Sequence, residues 1–438
     1  MLMLKPKLIF LHFLLAFTLQ PVLAQRTLTP ANQTFATSDS LRLTLSEAEQ
    51  LFQERNIPLL AQKSAIEASR AAIIQARLFE NPTLSIDQGI YNPTNSRYFD
   101  LSKQGQTYMQ VDQLFYLAGK RNKRVQVEQL NTQLTEQAYF DLLRTLRFAL
   151  RTSFIELHYK LQGYQVLQER TQAVQRLVTA LDGQYKKGNI PLKEITRLKA
   201  LSFQLGNQQL SLLNEIQEEQ AELRLLTGTP AKTAMVPVVD ETALTHTKGD
   251  QLSYLQLLET AQENRFDLKS AETDVQLQQA NLKLQKALAV PDLMVGANYD
   301  RQSNFIRDYV GLNLSMPLPL WNRNQGNIKM AKHEIERSQQ LLTQQQLIVE
   351  NEVMQAYQKA QEAQKFYASF DPNFRQDFDR LLEGVTSSFV RRNISLIEFL
   401  DYYETYTDSI TQLLELSTNR LRTLEEINFA VGKPVITY

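Results

Sequence analysis

Glu398 and Asp401 stand three residues apart, a spacing that puts two carboxylates on one face of a helix. Paired acids of this kind serve general acid–base work, cation attraction or helix capping, and the neighbouring residues do not choose among these alone. Ser395-Leu396-Ile397-Glu398 also fits a capping box, in which Glu398 closes the start of a helix and does nothing else. Other chemistry is scarce. Beyond the leader the histidines are His158, His246 and His333, scattered and without a metal-ligand spacing. His333-Glu334 lacks the second histidine of a zinc-protease helix. Gly119-Lys120 lacks the preceding glycine of a phosphate-binding loop. No serine or threonine has a nucleophile's setting, and the chain has no cysteine. The residues read as those of a protein with no catalytic site and no cofactor.

The elements around the acids carry more information. The chain has 438 residues, with 47 Lys+Arg against 47 Asp+Glu, so no net charge draws it to nucleic acid. Absent cysteine removes disulfides, thiolate metal sites and any lipid-anchored N-terminal cysteine. Mean hydropathy is −0.33, which excludes a helical membrane protein but not a β-barrel. Lys5 and Lys7 precede an apolar run from Leu8 to Leu19, then Val22-Leu23-Ala24. That run is too short to span a bilayer and reads as a secretory signal over 1–24. A polar leader follows at 25–40.

The chain is duplicated. Tyr185-Lys-Lys-Gly188-Asn189-Ile190 returns as Phe389-Val-Arg-Arg392-Asn393-Ile394, and Leu225-Leu226-Thr227-Gly228 returns as Phe429-Ala430-Val431-Gly432. Asn81-Pro82-Thr83-Leu84 returns as Val290-Pro291-Asp292-Leu293. Several anchors at nearly one offset define two repeats, 41–229 and 251–438, joined by a linker at 230–250. Each repeat predicts a helix, two alternating strands, a very long helix, a tight break and a return helix. Expected bounds in the first are strands at about 82–92 and 107–117, a long helix at 121–187 and a return helix at 191–227. In the second they are strands at about 291–301 and 308–317, a long helix at 326–390 and a return helix at 395–430. Apolar residues recur every three or four positions along 121–187, with no proline, as a coiled-coil-like stripe about 100 Å long. Asp371-Pro372 interrupts the second long helix, because proline inside a helix kinks it.

The strands alternate strictly. Leu84, Ile86 and Ile90 oppose Ser85, Asp87 and Gly89, and Met109, Val111 and Phe115 oppose Gln110 and Asp112. Val310, Leu312 and Leu314 oppose Gly311, Asn313 and Ser315. At about 9–11 residues these runs suit tilted strands through a membrane. Four strands cannot close a barrel, and open edges are not tolerated in lipid. Three copies supply twelve. The expected fold is therefore mainly α with a small β part: a homotrimer with an α-barrel beneath one shared 12-stranded transmembrane barrel.

A further segment, Met316-Pro317-Leu318-Pro319-Leu320-Trp321-Asn322-Arg323-Asn324-Gln325-Gly326-Asn327-Ile328, follows the last strand and opens the second long helix. Its counterpart is Gln113-Leu114-Phe115-Tyr116-Leu117-Ala118-Gly119-Lys120-Arg121. With the duplicated plan, these residues closely resemble the TolC-type outer-membrane channels of Gram-negative efflux systems, in the branch serving heavy-metal and multidrug pumps. The resemblance covers nearly the whole mature chain. Gly119, Lys120, Arg121, Pro317, Pro319, Asn322, Arg323 and Gly326 fall at its strand-to-helix junctions, where proline ends a ladder it cannot donate to.

The resemblance implies a passive duct through the outer membrane and periplasm, not lipid-anchored. Such a duct is fed by a periplasmic adaptor (a membrane fusion protein) and an inner-membrane transporter of the resistance-nodulation-division type. It places Gly188, Asn189, Ile190, Arg392, Asn393 and Ile394 at adaptor-docking tips, with Arg392 standing where the family usually has glycine. It also implies that Glu398 and Asp401 ring a narrow entrance, where six carboxylates would attract cations and raise one another's pKa. Metal cations or drugs are the implied cargo. A type I secretion duct would share the architecture, whereas a soluble periplasmic coiled-coil adaptor would explain the long helices but not the strands.

Overall fold

Ala118 and Gly119 take successive left-handed conformations (φ 54° and 66°), and this reversal turns the chain out of a strand into its longest helix. The computed structural model describes residues 40–240, 253–371 and 373–437. The secretory signal at 1–24, all but the last residue of the leader, Pro372, His246 and the linker beyond residue 240 lie outside the described residues.

The first half opens with β1 (Ser40–Leu43), α1 (Leu45–Arg55) and α2 (Ile57–Arg77). Strand β2 (Thr83–Gln88), a two-residue pair β3 (Tyr91–Asn92) and β4 (Arg97–Tyr98), and strand β5 (Thr107–Phe115) follow. Helix α3 then runs 67 residues, Lys120–Lys186, and α4 (Leu192–Thr227) returns beside it. At 1.5 Å per residue α3 is about 100 Å long. Its stripe explains the pairing. Leu167, Val174 and Val178 bury against Ile195, Leu198, Leu201 and Leu205 of α4. Higher up, Leu150, Phe154 and Leu157 bury against Ala48 and Phe52 of α1 and Ile216 and Leu223 of α4.

The second half has β6 (Ala234–Pro237), α5 (Tyr254–Asn264), α6 (Phe266–Leu288), β7 (Leu293–Gln302) and β8 (Arg307–Ser315). Helices α7 (Gln325–Ala368), α8 (Phe374–Val390) and α9 (Leu396–Val431) complete it. Here the structure departs from the expected single helix at 326–390. Helix α7 stops at Ala368, and Asp371 starts α8 by accepting the amides of Asn373 on its side chain (2.9 Å) and Phe374 on its carbonyl (3.0 Å). The strand expected at 82–92 also ends early, at Gln88, where the chain enters the β3–β4 loop. Helix α3 packs against α2 and α4 on one flank and against α6 and α9 on the other.

The four long strands form one antiparallel sheet in the order β2-β5-β7-β8. The β5–β7 ladder joins the two repeats, with Val111 opposite Ala297 and Met109 opposite Tyr299. Among the described residues both outer edges, β2 and β8, are unpaired, and the sheet has four strands and does not close on itself. A separate parallel pair, β1 with β6, ties the start of the first repeat to the segment after its end.

Candidate functional site

The register of the sheet sorts its side chains. Leu84, Val111, Ala297 and Leu312 lie in one row, and Ile86, Met109, Tyr299 and Val310 in the next, all on one face. Ser85, Gln110, Asn298 and Gly311 make a row on the opposite face. Among the described residues nothing covers the apolar face: Leu84 is 62% and Leu312 74% exposed. Among the described residues no helix is long and apolar enough to cross a membrane. The sheet is the element with an uncovered apolar surface of membrane-spanning strand length.

Where the sheet meets the helices, one of the residues expected at the junctions, Lys120, ties the two repeats together. Lys120 is buried, donates to the Val290 carbonyl (2.6 Å) and pairs with Asp292 (2.7 Å). Asp292 also accepts the Leu117 amide at 3.0 Å. The Arg121 guanidinium lies 4.0 Å over the Phe79 ring. In the second repeat, Asn322 accepts the Asn324 amide (3.0 Å), and the Arg323 amide donates to Gln325 (2.8 Å). Asn324 in turn reaches the Gln285 carbonyl (2.7 Å), while Gly326 faces open space. Pro317 and Pro319 are exposed in the extended run after β8, which ends at Trp321, 86% exposed. An exposed tryptophan beside an apolar sheet suits the membrane–water interface.

The two tips superpose in their bonding. The Gly188 amide donates to the Tyr185 carbonyl (2.8 Å) and the Asn189 amide to Gln184 (3.0 Å). At the other tip Arg392 donates to Phe389 (2.9 Å) and Asn393 to Ser388 (2.9 Å). Gly188 (φ 76°) and Arg392 (φ 62°) share the left-handed conformation that this turn requires. Gly188, Asn189, Arg392 and Asn393 are exposed, whereas Ile190 and Ile394 are half-buried against the core between α3, α4, α8 and α9. The isoleucines staple the tips shut, as a hydrophobic residue just outside a helix commonly does.

Of the roles weighed for the acids, the cap has a structural counterpart. Glu398 closes the capping box: it accepts the Ser395 amide (2.8 Å), and its own amide donates to the Ser395 hydroxyl (3.2 Å). The backbone N–H first and the hydroxyl second hold its carboxyl below the usual range. Asp401 is exposed on the same face of α9, and among the described residues no hydrogen bond or ion pair engages it. Glu194 and Arg197 hold the matching positions of α4, whose first turn has no side-chain cap.

Sequence reading missed a network that ties the lower helices together. Arg170 of α3 donates to the Tyr406 hydroxyl (2.7 Å) and pairs with Asp379 of α8 (3.2 Å); the Tyr406 hydroxyl donates to Asp379. Burial, with the Asp379 bond second, pushes the Tyr406 phenol up to about 12. The Tyr403 hydroxyl donates to the Arg170 carbonyl at 2.9 Å. The available signal was Tyr403 and Tyr406, three apart on one face of a return helix. Among the described residues no group of three or more His, Asp and Glu side chains could hold a metal ion.

Residues 257–369 match the outer membrane efflux protein family. The match runs from within α5 to just past the end of α7. The cobalt-zinc-cadmium resistance protein CzcC of Cupriavidus metallidurans is 21% identical over 301 residues, covering 68% of both chains. Among solved structures, CusC is similar with a TM-score of 0.69, at 16% identity over 89% of this chain and 92% of that one. The CmeC channel of Campylobacter jejuni gives 0.69, at 13% identity over 89% and 85% of the two chains. The open-state MtrE channel of Neisseria gonorrhoeae gives 0.65, at 13% identity over 89% of each. These solved structures share the fold of this chain.

Proposed function

We propose that three copies of this chain join edge to edge, β8 of one against β2 of the next, and close a twelve-stranded barrel in the outer membrane. The uncovered apolar face of a sheet with two open edges carries this reading. In lipid an open edge leaves backbone groups unsatisfied at several kcal/mol each, and closure removes the edges. The three sets of long helices then form a periplasmic tube whose lower end bears the tips.

Gly188, Asn189, Arg392 and Asn393 are the docking positions for a periplasmic adaptor, with Ile190 and Ile394 keeping those tips in shape. An inner-membrane transporter of the resistance-nodulation-division type loads the duct through that adaptor. Asp401 lines the entrance, and Glu398 serves both there and as the cap of α9. The cobalt-zinc-cadmium resistance relative favours metal cations over drugs as cargo. Static light scattering of the detergent-purified chain tests the assembly: a trimer is expected, and a monodisperse monomer overturns it. A deletion strain tested against zinc, cobalt, cadmium and copper beside dyes and antibiotics tests the cargo. Selective metal sensitivity is expected, and sensitivity to the amphiphiles alone overturns the metal assignment.

A further inference from the structure

We propose that the cleft between α3 and the C-terminal end of α9 binds a small oxyanion, a carboxylate or phosphate group, on Arg147. The cleft encloses about 160 Å³. Arg144, Arg147 and Arg151 enter it from one face of α3, at spacings of three and four. Two of the three are committed. Arg144 pairs with Asp141 (2.7 Å) and Asp267 (3.4 Å) and donates to the Phe429 carbonyl (3.0 Å). Arg151 pairs with Glu49 (2.6 Å) and Glu425 (2.9 Å).

Arg147 is different. Among the described residues no ion pair or hydrogen bond engages it, and its Nε is buried without an acceptor. A buried guanidinium donor without an acceptor is destabilising, and an ionised acceptor in the cleft, met by a turn of the half-buried Arg147 side chain, satisfies it best. Lys433 adds a second uncommitted cation to the lining. Glu425, the single acid of the lining, is already held by Arg151 and Asn428 (3.2 Å). Aromatic walls strengthen a charge-assisted bond here by lowering the local dielectric: Phe140 stacks on Phe266 (4.5 Å), and Phe429 lies 4.2 Å under Arg144.

Size and place define the ligand. A water occupies about 30 Å³ of liquid, so the cleft admits one phosphate or carboxylate group with a few waters and no nucleotide. Arg147 lies about 40 Å along α3 from Lys120, too far below the sheet for a lipid headgroup. Both flanks of α3 are covered by helices of its own chain, so the cleft does not face an edge open to a second copy.

Isothermal titration of the detergent-purified full chain with inorganic phosphate, at constant ionic strength in chloride, tests the site. Saturable binding is expected in the wild type and in Arg176→Met, an exposed control. Arg147→Met should lose at least tenfold in affinity, and Lys433→Met, on the rim, about threefold. Glycerol 3-phosphate distinguishes a free ion from the head of a larger molecule: binding of phosphate alone assigns the first, and binding of both assigns the second. No phosphate binding by the wild type, or unchanged binding in Arg147→Met, overturns the proposal. Should Arg147→Met fail to fold, Arg147→Lys and Lys433→Met decide, and undiminished affinity in both overturns it.

Discussion

In the first half of the molecule one helix, α3, runs unbroken from sheet to tip; in the second, the corresponding stave is cut between Ala368 and Phe374. Above the cut the halves are held alike. Asn56, buried where α1 meets α2, donates to the Leu226 carbonyl at the end of α4 (3.0 Å). Arg265, buried where α5 meets α6, donates to the Ala430 carbonyl at the end of α9 (3.1 Å). Below the cut they differ. Helix α4 lies along α3 over a continuous apolar seam, while α8 rests on α9 and reaches α3 through the Arg170–Asp379–Tyr406 network. The two repeats share one plan, and the second stave is the jointed one.

Four experiments break or sharpen this contrast. The largest effect belongs to the upper anchors. Arg265→Ala removes the partner of Glu352 and leaves Asp267 only the Arg144 cation, at 3.4 Å, and should cost about 3–5 kcal/mol. Asn56→Ala removes two buried hydrogen bonds, one to the Leu226 carbonyl and one from the Leu59 amide at the start of α2, and should cost about 1–3 kcal/mol. Denaturant unfolding compares them, and equal losses would mean that charge adds nothing to the second anchor. Next, Asp379→Ala should speed amide exchange across residues 374–390 by roughly tenfold and leave the facing turns of α3 unchanged. Equal acceleration in both helices would remove the joint from the second half.

The third experiment concerns the acids. Alanine at both Glu398 and Asp401 should raise single-channel conductance roughly twofold and weaken block by divalent cations. Unchanged conductance would place them off the axis. The cap has its own pH signature. Glu398 is held below its unfolded value of 4.5, so its contribution is present above that pH and fades as pH falls through the lowered folded value. Protection factors in the first turn of α9 should therefore fall on acidification below about 4.5, while those in the first turn of α4, which has no side-chain cap, should not follow. The smallest effect is at the tips. A side chain in the left-handed region costs about 1–2 kcal/mol, offset in part by glycine's greater freedom when unfolded. Arg392→Gly should therefore be neutral to slightly stabilising, and Gly188→Ala should cost up to about 1 kcal/mol. No Cβ contact intrudes at Gly188, so a much larger loss there would point to a packing role.

Much of this was legible because the signals are local. Strict alternation marks the strands, since a period of two admits no other regular structure. The stripe from Leu157 to Leu181 marks α3, and Asp371-Pro372 marks where its counterpart breaks. The β5–β7 ladder was not legible, because a pairing between residues almost two hundred apart leaves no periodic trace in either strand. For the same reason the partners of Tyr406 were out of reach, as Arg170 lies on another helix in the other repeat. Ile190 and Ile394 could be placed at the tips from their repeat, but their inward lean depends on how four helices converge.

The parallel pair β1–β6 bears on how the molecule is made. Ser40 opposes Ala234 and Leu43 opposes Pro237, so the clasp closes a loop that holds almost the whole first repeat. Closing a loop of about 190 residues carries an entropic penalty of roughly 5 kcal/mol, which the helices and sheet inside it shorten once they form. The clasp therefore belongs to the late events of folding, after the hairpins and helix pairs, whose contacts are nearer in sequence. Because Pro237 follows the whole first repeat, that repeat cannot be fastened until its last helix and the segment beyond have been made. Throughout that interval the apolar face of β2 and β5 stands without its neighbours, open to association with other chains until its edges are taken up.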